Sequence, residues 1–125
     1  MQKFRKLSDA ELRLMEVVWS MEEPVTTGDL HAHLQASGMD WKPQTVLTLL
    51  SRIEDKHLIS SVKQGKERQY FILVNRQMYR DFETDSFLNR FYPRSMAGFL
   101  GDAIRKGALT KEDLAELEQM LHTEE

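Results

Sequence analysis

The 125-residue sequence predicts a mainly α protein with a small β-wing: a winged helix-turn-helix domain over residues 1–75, then a helical arm over residues 76–125. Three observations carry this. Between Pro43 and Lys56, Val46, Leu49, Leu50 and Ile53 recur at i, i+3, i+4 and i+7, the spacing that puts four apolar side chains on one helix face. Gln44, Thr45, Thr48, Ser51, Arg52 and Asp55 fall mainly on the rest of that helix. Two strand-like runs follow at once, Leu58–Lys63 and Gln69–Leu73, joined across Gly65-Lys66. Two helical patterns precede the segment, and helix, turn, helix, turn, helix is the minimum for this module.

Ser8-Asp9-Ala10-Glu11 has the form of a capping box, so Ser8 opens a helix that buries Leu12, Met15 and Val18 or Trp19 and ends at Glu22-Glu23-Pro24. Thr26 or Thr27 starts a second helix, with Leu30 and Leu34 inward and Ser37-Gly38 as the stop. Pro43 suits the first turn of the third helix, where its missing N–H has no intrahelical partner. A short strand near Pro24-Val25-Thr26 can add an edge to the wing. Helical periodicity returns from Asn75, with Met78, Phe82, Phe87 or Leu88, and Phe91 as its stripe, and Pro93 breaks it. Met96, Phe99, Leu100, Ala103 and Ile104 define the next helix, and Thr110 caps a last one carrying Leu114, Leu117, Met120 and Leu121.

Composition excludes several classes. Hydrophobic residues at 41% and charged ones at 30% describe a globular chain with material for a core. No apolar run approaches the ~18–20 residues of a membrane span, no signal-peptide core opens the chain, and the expected location is the cytoplasm. The absence of cysteine excludes disulfides and thiolate metal chemistry. His31 and His33 lie two apart, which on a helix points them to different sides. His57 and His122 have no carboxylate–histidine pattern near them. No phosphate loop, nucleophile elbow or zinc-protease motif is present, so no catalysis and no cofactor are expected.

The net charge of −3 argues against a nucleic-acid partner until its distribution is considered. Residues 41–75 carry six basic side chains against three acidic, whereas residues 76–125 carry seven against ten, so the acidity collects in the arm. Lys42, Arg52, Lys66 and Arg68 are therefore the candidate phosphate anchors. Gln44, Thr45 and Thr48 are the candidate base readers: a glutamine can bond adenine N6 and N7 together, and a threonine methyl can touch that of thymine. Double-stranded DNA is the expected partner. The arm has too few apolar residues for a core of its own, and Phe82, Leu88, Phe91, Tyr92, Phe99, Leu117 and Leu121 form a stripe in need of a partner. A second copy of the chain is the commonest solution, and folding back on the first domain is the alternative.

Together the stretches KLSDAELRLMEVVW, the W-x-P-x-T-V-x-T-L-L-x-R-I motif from Trp41 to Ile53, the Gly65-Lys66 turn, FLNRFY and ALTKEDLAELEQML closely resemble the penicillinase-repressor family of bacterial regulators. The resemblance implies a homodimeric repressor that binds a palindromic operator, with the helix at the W-x-P-x-T motif in the major groove. By that carry-over Thr45 and Thr48 contact base edges and phosphate, and Lys66 matches the basic residue after the wing glycine. Gln44 stands where the family often has lysine, and Arg68 where an aromatic is common. Copper-responsive relatives carry a C-terminal cysteine cluster that this chain lacks. Relatives inactivated by a signalling protease are cut at an Asn-Phe pair; the corresponding position here is Ser95-Met96, so that dipeptide is absent and the resemblance leaves the inducer, a signalling protease or other inducer protein, open. The competing reading is a winged-helix protein-interaction module without sequence-specific DNA binding.

Overall fold

The computed structural model describes residues 3–124, which form six helices and a three-stranded sheet. The chain divides into two compact units, Met1–Asp81 and Phe82–Glu125.

In the first unit, α1 (Asp9–Trp19) begins with the expected capping box. The Glu11 N–H donates to Ser8 Oγ (3.2 Å), and the Ser8 N–H donates back to Glu11 Oε1 (2.8 Å). Its inward face is Leu14, Met15 and Val18, with Leu12 only half-buried, so the stripe is rotated from the expected one. Strand β1 (Val25–Thr26) does form, and Thr26 doubles as the cap of α2 (Thr27–Ala36) by accepting the Asp29 N–H. Leu30 and Leu34 are the inner pair of α2, and Gly38 (φ 77°) supplies the left-handed step after its end.

Helix α3 (Pro43–Asp55) buries Val46, Leu49, Leu50 and Ile53, as its periodicity predicts. Strands β2 (Ile59–Gln64) and β3 (Glu67–Ile72) pair antiparallel from Ile59↔Ile72 to Gln64↔Glu67, and β1 pairs with the other edge of β3. Gly65-Lys66 is therefore a two-residue hairpin loop, and Gly65 (φ 65°) provides the positive φ at its first position. Beyond the short β1, the Ile72 N–H is satisfied by the Glu23 carboxylate at 2.7 Å.

Helix α4 (Arg76–Phe91) starts where the sequence places the domain change, and the Asn75 side chain accepts the Met78 N–H at its entry. Its first turns belong to the first unit. Tyr79 is buried, stacks near Phe4 and Trp19, and its hydroxyl accepts the buried Leu7 N–H at 2.7 Å.

The second unit comprises the rest of α4, α5 (Met96–Arg105) and α6 (Lys111–Glu124). Phe87 is its hub, with Phe91, Tyr92 and Phe99 rings centred 5.3, 6.0 and 5.9 Å away. The Tyr92 hydroxyl donates to Asp102 at 2.7 Å, a bond that holds the Asp102 carboxyl below its ordinary range and pushes the phenol up. Thr110 caps α6 as expected, reciprocally with Asp113. Met96 and Ile104, expected inward on α5, are each 53% exposed.

Candidate nucleic-acid interface

Amphipathicity leaves α3 with an outward face. With its apolar stripe buried, Gln44, Thr45, Thr48, Ser51 and Arg52 are all exposed, as is Lys42 just before the helix. The exposed Leu47 shares this surface and was absent from the sequence-based site; an apolar residue one position off the buried stripe is the signal that marks it. The Thr48 hydroxyl donates to the Gln44 carbonyl at 3.0 Å, so it offers a partner its lone pairs and its methyl rather than its proton.

The start of α3 is unusual within this chain. Each of the other five helices has a side-chain oxygen (Ser8, Thr26, Asn75, Ser95 or Thr110) accepting a first-turn N–H, whereas the α3 N-cap Lys42 makes no side-chain capping bond, and no acid stands in its first turn. First-turn N–H groups at the positive end of a helix dipole are donors suited to a phosphate. Trp41 stands before this turn beneath the Arg13 guanidinium, 5.6 Å from the ring centre, which braces the helix start against α1.

The wing lies after α3 in the same unit. Lys66 is exposed at the hairpin tip, and Lys63 and Arg68 are exposed and directly opposite each other across β2 and β3. Arg68 donates from Nη1 to Ser61 Oγ at 3.0 Å, and the Ser61 hydroxyl donates to Glu54 at 2.8 Å. The buried Tyr70 phenol is pushed up chiefly by burial, with Arg68 pulling it down and Glu54 adding to the rise. The start of β3 also meets α2, because the Gly28 N–H donates to the Glu67 carboxylate at 3.2 Å.

Two cations, Lys56 of the basic count and Arg5 near the N-terminus, are engaged elsewhere. Lys56 pairs with Glu11 at 2.5 Å, and the Glu11 side chain is 3% exposed. Burial alone would raise that carboxyl; the Lys56 hydrogen bond and the Ser8 N–H outweigh it and hold it below the ordinary range. Arg5 donates to the Asp55 carbonyl at 2.8 Å, so its charge complements the C-terminal end of α3. Neither partnership shows in local sequence, since the residues are 45 and 50 positions apart.

The expected association residues all lie in the second unit. Phe82, Leu88, Tyr92 and Phe99 are half-buried, while Phe91 and Leu121 are 59% and 68% exposed and Leu117 is 39% exposed. Ser95 caps α5 by accepting the Gly98 N–H, so Ser95-Met96 sits at an exposed helix start. Among the described residues no group of three histidine, aspartate or glutamate side chains could hold a metal ion, and no helix is long and apolar enough to cross a membrane.

A three-helix core, an uncapped polar helix face and a basic hairpin define a winged-helix protein. The comparisons narrow the class. Residues 7–123 match the family model described as penicillinase repressor. The chain is 30% identical over 121 residues to the penicillinase repressor of Bacillus licheniformis, covering 97% of this chain and 93% of that one. It is 26% identical over 120 residues to the methicillin resistance regulatory protein MecI of Staphylococcus aureus, covering 96% of each. Among solved structures, the DNA-binding domain of the repressor BlaI matches with a TM-score of 0.54 at 29% identity, over 63% of this chain and 94% of that one. Monomeric B. licheniformis BlaI in complex with the blaP half-operator matches with a TM-score of 0.50 over the same shares, also at 29% identity. The chain belongs to the penicillinase-repressor family, whose members are transcriptional regulators and not enzymes.

Proposed function

We propose that this protein is a homodimeric transcriptional repressor that binds a palindromic operator. Helix α3 enters the major groove with Gln44, Thr45 and Thr48 toward the bases. Lys42, Arg52, Lys66 and Arg68 anchor the phosphates, and residues 76–125 bring two copies together. The observation that carries this is the exposed first turn of α3, free of any side-chain cap, with three uncharged polar side chains beside it, in a fold similar to one solved on half-operator DNA. Short side chains let a helix sit close to base edges, and phosphate contacts around it set its register. Two-fold symmetry would place the two reading helices about one DNA turn (~34 Å) or a multiple of it apart.

The test is an anisotropy titration of the full chain with a duplex from upstream of its own gene, against a scrambled duplex, at two salt concentrations. A preference of about a thousandfold or more that weakens as salt rises is expected of a specific repressor. Equal, weak binding to both duplexes would favour a protein-interaction module instead.

A further inference from the structure

We propose that Glu54 and Ser61 are positioning residues that hold the Arg68 guanidinium, near the tip of the wing, in the orientation in which it meets a DNA phosphate. The inference rests on the DNA-binding reading and adds to it two residues that touch no DNA. Arg68 of β3 stands directly opposite Lys63 of β2, a like-charge pair that drives two flexible side chains apart. The structure gives Arg68 a partner instead: its Nη1 donates to Ser61 Oγ at 3.0 Å. The Ser61 hydroxyl, as donor, is fixed by the Glu54 carboxylate at 2.8 Å. Bonds to a charged group are the strong ones, and here both ends of the relay are ionic.

Geometry explains what the relay does. A guanidinium carries five N–H donors in a rigid plane, so one bond to Ser61 sets that plane and leaves donors for a phosphate. Fixing the side chain before binding removes the entropy cost of fixing it afterwards. Glu54 lies in the last turn of α3, so the relay also ties the anchor on β3 to the helix that carries the readers. Ser61 is half-buried and Arg68 exposed, so the holding group sits inside and the anchoring group outside.

The experiment uses the full chain and the same labelled duplex from upstream of its own gene, over a salt series, with thermal melts to show that each variant is folded. Ser61→Ala is expected to weaken binding about three- to tenfold with the salt slope unchanged, because Arg68 still neutralises its phosphate. Ser61→Thr, which keeps the hydroxyl, restores affinity. Arg68→Ala lowers the salt slope by about one, and adding Ser61→Ala to it costs nothing more. An Ser61→Ala loss that persists undiminished without Arg68, or no loss at all, overturns the proposal. Tighter binding by Glu54→Gln also overturns it, since the relay would then restrain Arg68 rather than present it. If the wild-type chain does not prefer this duplex to a scrambled one, the DNA-binding reading fails first, before any variant is compared.

Discussion

The two units of this chain treat their apolar side chains in opposite ways. Every buried apolar side chain among the described residues lies between Leu7 and Tyr79, where three helices and a small sheet close over Leu14, Leu30, Leu50 and Ile53. From Phe82 onward none is buried: Phe91, Met96, Ile104, Met120 and Leu121 are each more than half exposed. The first unit has a core of its own, and the second leaves its apolar side chains at the surface. Large apolar side chains left exposed in this number on a small unit call for a partner surface. This contrast is the physical support for assigning DNA to the first unit and self-association to the second.

The largest expected effect contrasts the two kinds of leucine. Leu50→Ala removes a fully buried side chain and should cost about 2–5 kcal/mol in urea unfolding, at any protein concentration. Leu121 is 68% exposed in the single chain, so Leu121→Ala should cost little when dilute. At concentrations where copies associate, its effect should grow with concentration. A Leu121→Ala cost that is large and independent of concentration would mean that the second unit packs intramolecularly.

Phe91→Asp and Thr45→Ala separate association from reading. Phe91→Asp should abolish the dimer in sedimentation equilibrium and weaken full-operator binding by about a hundredfold or more, through lost bivalency, while half-site affinity stays unchanged. Thr45→Ala should weaken the half-site itself by about 1–3 kcal/mol, whereas Lys66→Ala should weaken operator and scrambled DNA alike. Equal half-site losses in the Thr45 and Phe91 variants would erase the division between the units.

The ion pair of the buried Glu11 with the half-buried Lys56 gives a pH signature confined to the first unit. The folded-state Glu11 carboxyl lies below its ordinary value. Its contribution is therefore complete above the ordinary carboxylate range and is lost as pH falls through the folded-state value. Glu11→Gln should destabilise the chain by about 1–3 kcal/mol at neutral pH, and the gap to wild type should close on acidification. A gap that is constant with pH would show that the carboxylate charge is not what Lys56 recognises.

How much of this was legible in the sequence follows from the range of each interaction. The stripe of α3, the Ser8 and Thr110 caps and the Gly65 turn are local patterns, read from neighbours within a few residues. The phase of α1 is not: Leu12 and Leu14 each complete a stripe with Met15 and Val18, and only the folded unit shows that Leu14 is the buried one. Lys56, counted with the basic surface, is taken by Glu11, and Arg68, chosen for its charge, is held by Ser61. Tyr79 reads as an arm residue by position, yet it caps the core of the first unit through Leu7, 72 residues away. Local rules name the candidate side chains; the folded chain decides which are already engaged.

The smallest effect turns on the two capping boxes, which are chemically alike. Ser8 and Thr110 each accept an N–H three residues on, and each helix returns a carboxylate to the cap. Replacing either by alanine should cost about 1 kcal/mol of helix stability. The readouts should differ because of what each helix packs on. Helix α1 buries Leu14, Met15 and Val18, so Ser8→Ala should lower the stability of the whole first unit in denaturant. Helix α6 has no buried residue among those described, so in dilute protein Thr110→Ala should appear as faster amide exchange confined to that helix. As copies associate, the same substitution should register in the dimer equilibrium, because frayed ends of α6 then withhold Leu114 and Leu117 from the shared surface. Identical behaviour of the two variants at every concentration would mean that α6 is held as firmly as α1 within one chain.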